Sequence, residues 1–170
     1  MKIRRPRLDK ETFKILDCCN NENICFDLKI LPKFFINSEF IVKAHKVKHN
    51  YYFYVFVKDF GCICHCEFID QRHIASIFKL KEFKNVFTPH CDTHPKYRNI
   101  GLVSNIYKFF LIQHPDAVLA TYCHTKIAKT LWESIATKIK GELFYHNIVT
   151  GKRETKPTVS NVKILKPVKK

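Results

Sequence analysis

The sequence predicts a mixed α/β domain in which helices pack on a sheet. Three observations predict it. Runs rich in β-branched and aromatic residues fall between 40 and 93. Two stretches after 97 carry apolar residues at three- and four-residue spacing. Short apolar runs bounded by turn residues alternate with those stretches. The resulting order is hairpin, strand, helix, strand, helix, strand, which suits a mixed sheet covered by helices.

Residues 1–11 read as a basic arm. Residues 12–37 are mixed, and Leu28 to Ile36, with Pro32 inside, suits a short helix or irregular cover. Phe40 to Lys48 alternates in part and reads as a strand. Tyr51 to Lys58 and Cys62 to Ile69 flank Asp59-Phe60-Gly61, which makes a hairpin. His73 to Phe83 carries Ile74, Ile77 and Phe78 and suits a short helix or a link. Val86 to Thr93 is a further strand.

Tyr97 to Leu111 is the first strong helix. Leu102, Val103, Ile106, Tyr107, Phe110 and Leu111 fall on one face, and His114-Pro115 stops it. Val86 to Ala120 then forms a β-α-β unit. Ala117 to Cys123 is a buried strand. Thr125 to Ile139 is the second helix, with Thr125 as N-cap, and Gly141 ends it. Leu143 to Val149 is the last expected strand. From Gly151 the chain is basic and contains prolines, so a loose tail is expected. The expected organisation is an arm at 1–11, one domain at 12–150 and a basic tail at 151–170.

The chain has 170 residues, with 30 Lys+Arg against 15 Asp+Glu, a formal net charge of +15. Hydrophobic residues make up 46% and aromatics 14%, which excludes general disorder. So positive a field attracts nucleic acid, anionic membrane, or small polyanions such as nucleotides and coenzyme A. The plainer account is lysines that simply face water. No apolar segment follows the basic start, so no secretory signal is expected. The longest apolar run, Tyr51 to Val57, is far short of the ~20 residues of a membrane-spanning helix. A soluble cytoplasmic protein with no membrane partner is expected. The Lys-, Ile- and Phe-rich composition suggests an AT-rich viral or bacterial genome, as for a phage protein acting in its host.

Eight cysteines in a reducing compartment are expected as thiols. Cys62, Cys64 and Cys66 alternate, so all three should share one strand face, with His65 on the other. Joined by Cys91, Cys123 or a histidine they could ligate zinc, giving a zinc-stabilised nucleic-acid binder. Structural zinc prefers Cys-x-x-Cys knuckles in loops, so no metal is assigned and buried thiols are the better account.

Chemistry concentrates at Thr93-His94-Pro95-Lys96-Tyr97-Arg98-Asn99-Ile100-Gly101-Leu102, between a strand and a helix. A helix start presents unpaired N–H groups and partial positive charge, which suits phosphate. Gly101 lets the backbone approach a pyrophosphate. Lys96, Arg98 and Lys108 add positive charge.

This run resembles the signature of the GNAT superfamily of acyl-coenzyme-A-dependent N-acyltransferases. That signature has the form Val-x-Pro-x-Tyr-Arg-x-x-Gly-x-Gly/Ala. Thr93 takes the Val position, Pro95, Tyr97, Arg98 and Gly101 match, and Val103 replaces the second small residue. Thr125-Lys126-Ile127-Ala128-Lys129-Thr130-Leu131-Trp132 is similar to the family's Asn-x-x-Ala-x-x-Leu-Tyr helix. The resemblance covers about residues 40 to 150. It implies a central mixed, mostly antiparallel sheet with helices on both faces, and acetyl-coenzyme A as co-substrate. It implies cofactor contacts from Thr93, Arg98, Asn99, Ile100, Gly101, Leu102 and Val103. The amine would attack the thioester directly, with the protein supplying position and a base. Two departures stand out: Trp132 replaces the family's tyrosine acid, and Phe87 stands where a glutamate is common.

His90, Asp92 and His124 are therefore the candidate catalytic groups, because strand ends carry such residues and histidine titrates near neutrality. Each has a plainer role as an exposed loop or turn residue. Tyr122 and Tyr145 are alternative acids, although strand aromatics are more often core. The acceptor is either a protein or small-molecule amine, or a nucleic-acid base as in the Mom-type phage DNA modifiers. The contrasting reading is a catalytically inactive module of the same fold, docked on nucleic acid by the basic arms. Oligomeric state is not readable from the sequence.

Overall fold

The computed structural model describes residues 33–36, 39–58, 60–72, 79–80, 83–122, 126–156, 158 and 160–168. The expected arm at 1–11, most of the link at 73–83, and Cys123, His124 and Thr125 lie outside them. The described elements are α1 (Lys33–Ile36), β1 (Phe40–Val47), β2 (Asn50–Val57), β3 (Gly61–Asp70) and β4 (Asn85–Thr93). A 3-10 turn (Pro95–Tyr97) follows, then α2 (Leu102–Gln113), β5 (Ala117–Thr121) and α3 (Lys126–Ile139). β6 (Glu142–Asn147), β7 (Arg153–Glu154) and β8 (Asn161–Lys166) close the chain. The strand order is β1-β2-β3-β4-β5-β8-β6-β7. The registered pairs are antiparallel except β4 with β5. The mixed, mostly antiparallel sheet expected from the sequence is present.

The described residues fall into two compact units, one within Met1–Phe68 and His90–Ile106, the other within Ile69–Pro89 and Tyr107–Lys170. In the first, β1, β2 and β3 form a meander: the strand expected at Phe40 to Lys48 pairs with the hairpin expected after it. β2 reads NYYFYVFV, aromatic or β-branched at every position after Asn50, and both its edges are paired. The β1–β2 turn puts Lys48 at φ 55, and the β2–β3 turn puts Gly61 at φ 96. A β-bulge sits between Val55/Phe56 of β2, whose partners are Cys64 and Cys62.

The bulge corrects the expectation that Cys62, Cys64 and Cys66 share a face. One extra residue, Ile63, shifts the alternation. Cys62 packs with Tyr54, Tyr52 and Phe56, on the face that carries His65. Cys64 pairs with Val55 and Cys66 with Phe53, on the opposite face.

In the second unit, β4 and β5 run parallel through Asn85↔Ala117, Val86↔Val118 and Phe87↔Leu119. The ladder then stops. Pro89 has no N–H to continue it. Leu80, Val86, Val118, Ala120, Phe144, Val162 and Ile164 form the core on one sheet face. α2 buries Phe110 against Phe87, with centroids 5.2 Å apart. α3 packs on β6 and β8. It ends in a Schellman motif, with Lys140 at φ 53 and Gly141 N–H donating to the Ala136 carbonyl at 2.8 Å. A Cβ at Gly141 would stand 2.9 Å from the Lys166 carbonyl, so its role is close approach.

The expected loose tail at 151–170 is corrected. Its residues Asn161–Lys166 form β8, inserted between β5 and β6. Ile164 and Leu165 are fully buried, and Lys163 is 2% exposed. The single domain expected at 12–150 therefore omits a central strand. The helix expected from Tyr97 begins instead at Leu102, because Pro95–Tyr97 forms a separate 3-10 turn.

Candidate functional site

The turn between β4 and α2 is built from short local contacts. His94 caps the 3-10 turn, its Nδ1 accepting from the Lys96 N–H at 3.3 Å. Pro95 opens that turn with its φ already set. Phe60, from the β2–β3 turn, packs edge-on against His94 at 4.9 Å and Tyr97 at 5.2 Å. Lys96 Nζ lies 5.8 Å from the Phe60 ring centroid and 5.5 Å from that of Tyr97. Arg98 Nε donates to the Thr93 carbonyl at 3.0 Å, tying the turn to the end of β4.

Two residues in the left-handed region then redirect the chain, Asn99 at φ 64 and Gly101 at φ 94. The Gly101 carbonyl accepts from Ser104 Oγ, Asn105 Nδ2 and the Asn105 N–H, each at 3.0 Å. Among the described residues, no loop or turn hydrogen bond is donated by the N–H groups of Asn99, Ile100, Gly101, Leu102 or Val103. Unpaired N–H groups at a helix start form a cradle for an anion. Arg98, Asn99 and Ile100 are exposed, Gly101 and Val103 half-buried, and Leu102 buried. Every sequence-predicted cofactor residue from Thr93 to Val103 lies in this one segment.

The catalytic candidates sit on the strand that feeds the turn. His94 N–H donates to the Ile63 carbonyl and Gln71 N–H to the Val86 carbonyl, both at 2.8 Å. Both bonds fit one antiparallel β3–β4 register. That register sets His65 opposite Asp92, Cys66 opposite Cys91 and Cys64 opposite Thr93. Glu67 then faces His90. A Cys64 Sγ to Thr93 Oγ1 contact of 3.4 Å agrees with it.

His65, Glu67, His90 and Asp92 thus share one strip of the sheet. His65 Nε2 lies 3.0 Å from Glu67 Oε1. The hydrogen bond from His65, and then the charges of His65 and His90, hold the Glu67 carboxyl below its usual range against a smaller opposing effect of burial. His65 stacks on Tyr54 at 4.8 Å, and His45 stacks on Tyr54 at 5.6 Å and Tyr52 at 4.9 Å. Burial, with a contribution from His65, lowers the His45 pKa. Sequence reasoning missed Glu67 and His65 as partners of His90 and Asp92, since only the strand register reveals them. His124 lies outside the described residues.

The two departures from the signature are core positions. Phe87 is 6% exposed and Trp132 3%, so both side chains are buried. Tyr122 is exposed, and desolvation pushes its phenol up to about 12. It keeps its proton through neutral pH. A cleft of about 310 Å³ lies at the other end of β4 and β5, between Lys84, Asp116 and Lys166. It holds none of the candidate groups.

No family model matches the chain, and no curated protein matches it. Solved structures do. One is the microcin C7 self-immunity acetyltransferase MccE in complex with acetyl-CoA and AMP, at 10% identity and TM-score 0.40. The match covers 68% of this chain and 59% of MccE, so the chain spans less than two thirds of that protein. A second is a phosphinothricin N-acetyltransferase, named as such only provisionally, at 14% identity and TM-score 0.42, covering 73% and 75% of the two chains. A third is a GNAT-family acetyltransferase from Streptococcus pneumoniae, at 11% identity and TM-score 0.42, covering 92% of each chain. The chain is similar to these three acetyltransferases at low identity.

Proposed function

We propose that this chain is an acyl-coenzyme-A-dependent N-acyltransferase with acetyl-coenzyme A as donor. The observation that carries the reading is the Thr93–Asn105 turn. Its open N–H groups, left-handed Asn99 and Gly101, and flanking Lys96 and Arg98 suit a pyrophosphate. The signature residues Pro95, Tyr97, Arg98 and Gly101 each have a structural task there.

The acceptor amine nitrogen attacks the thioester carbonyl, the C–S bond breaks, and coenzyme A leaves as a thiolate. His90 takes the amine proton, with Glu67 facing it across the strands and Asp92 two residues on. The thiolate takes a proton from solvent or a phenol. The acceptor is an amine of a protein, a small molecule or a nucleic-acid base. Burial of Lys163 removes one basic residue from the set available to a polyanion. The burial of both Phe87 and Trp132 favours a second reading, a binding module without turnover.

Calorimetric titration of the whole chain with acetyl-coenzyme A tests the donor site. Saturable binding that is lost in Gly101→Glu is expected, and no binding by the parent chain overturns the reading. Thiol release from acetyl-coenzyme A over a broad amine panel separates the two readings. Binding without release favours the module.

A further inference from the structure

Behind the turn lies a group of thiols with no part in that chemistry. Cys64, Cys66 and Cys91 lie together on the β3–β4 pair, and the Cys66 thiol makes side-chain contacts with both others. Cys66 is buried and Cys91 is exposed. The two come from adjacent antiparallel strands and stand directly opposite in the register fixed by the His94–Ile63 and Gln71–Val86 bonds.

Those bonds engage the odd-numbered Ile63 and Gln71, within and just beyond β3, so Cys66↔Cys91 is a non-hydrogen-bonded pair. Opposed Cα atoms in such a pair approach to about 4.5 Å. A disulfide spans Cα separations of about 4.4–6.8 Å, so this pair lies at the short end and can close without moving either strand. Cys64 and Cys66 share one face of one strand, with Cα atoms about 6.6 Å apart, so the cross-strand pair is the closer one.

We propose that Cys66 and Cys91 form a reversible thiol–disulfide exchange site that reacts with small-molecule disulfides. The exposed Cys91 thiolate attacks one sulfur of the oxidant, forming a mixed disulfide and expelling one thiolate. Cys66 then gives up its proton and attacks the Cys91 sulfur, breaking the S–S bond of the mixed disulfide. The Cys66–Cys91 bond forms and the second small thiolate leaves. Two protein thiols are oxidised, the oxidant is reduced to two thiols, and the two protons end on those thiols. Burial raises the Cys66 thiol well above its ordinary value, so the second step is the slow one and quickens as pH rises.

The test uses the whole reduced chain and oxidised glutathione as the probe. After an acid quench, the protein is denatured, alkylated, digested and mapped by non-reducing mass spectrometry. The expected result is a peptide pair linked through Cys66 and Cys91 that disappears on reduction and is absent in Cys91→Ser. Its yield at fixed time rises with pH. A product in which Cys91 carries only glutathione while Cys66 is fully alkylated overturns the proposal. So does linkage of Cys91 to any other cysteine. Neither result bears on acetyl-coenzyme A binding, which is measured separately.

Discussion

Gly101 shows what a single residue contributes. At φ 94 an L side chain is strained, and a Cβ would meet Asn105 Nδ2 at 3.3 Å. Gly101→Ala should cost about 1 kcal/mol or more in urea unfolding, because the native conformation does not suit alanine. The glycine, Pro95 and Arg98 were legible in the sequence because each marks local backbone geometry. Glu67 was not legible. It is one polar residue in a strand, and its meaning comes from facing His90 across 22 residues of intervening chain. If Glu67 supports His90 as base, Glu67→Gln should lower kcat several-fold with KM little changed. An unchanged kcat with a lower Tm would make Glu67 merely structural.

Among the elements, β8 carries the largest lesson. The run Asn161–Lys166 is flanked by prolines and lysines, so its composition reads as solvated tail. Strand pairing overrides that composition, since β8 joins β5 through Leu119↔Leu165 and β6 through Phe144↔Ile164. Ile164→Ala should cost roughly 2–5 kcal/mol, as for a fully buried residue. In a loose tail the same change would be silent in chemical denaturation. Lys163 lies on the opposite side of β8 from Val162 and Ile164. Burial, opposed in part by Glu133, lowers its pKa. Lys163→Met removes that desolvation cost and should raise stability by about 1 kcal/mol. The helices were legible in existence and poorly in their starts, because Tyr97 continues the apolar period although Pro95 has already opened a separate turn.

For the whole molecule, the charge of +15 is unevenly used. Lys96 and Arg98 flank the turn, and Lys163 is consumed by the core. Stability should also depend on pH through His45, whose folded pKa lies below its ordinary 6.5. The unfolded chain then binds more protons than the folded one in the window just below 6.5. Stability therefore falls as pH drops through that window. Thermal melts from pH 7.5 to 5.5 should show a decline that His45→Phe reduces. The fold class was legible because period-2 and period-3.6 patterns are properties of short segments. The division into two units was not, because each unit joins segments far apart in sequence.

The position of β8 also sets a timetable for folding. During synthesis β5 and β6 emerge with α3 between them, yet their facing edges cannot be satisfied until residues 161–166 leave the ribosome. Until then two apolar strand edges stand open, and each can pair with another chain. Insertion of a late strand between two earlier ones is a non-local step, so refolding should be slow for the chain's length. Aggregation during expression should be governed by the interval before β8 arrives. Chains stalled near residue 155 should aggregate or be captured by chaperones more than chains that already carry β8.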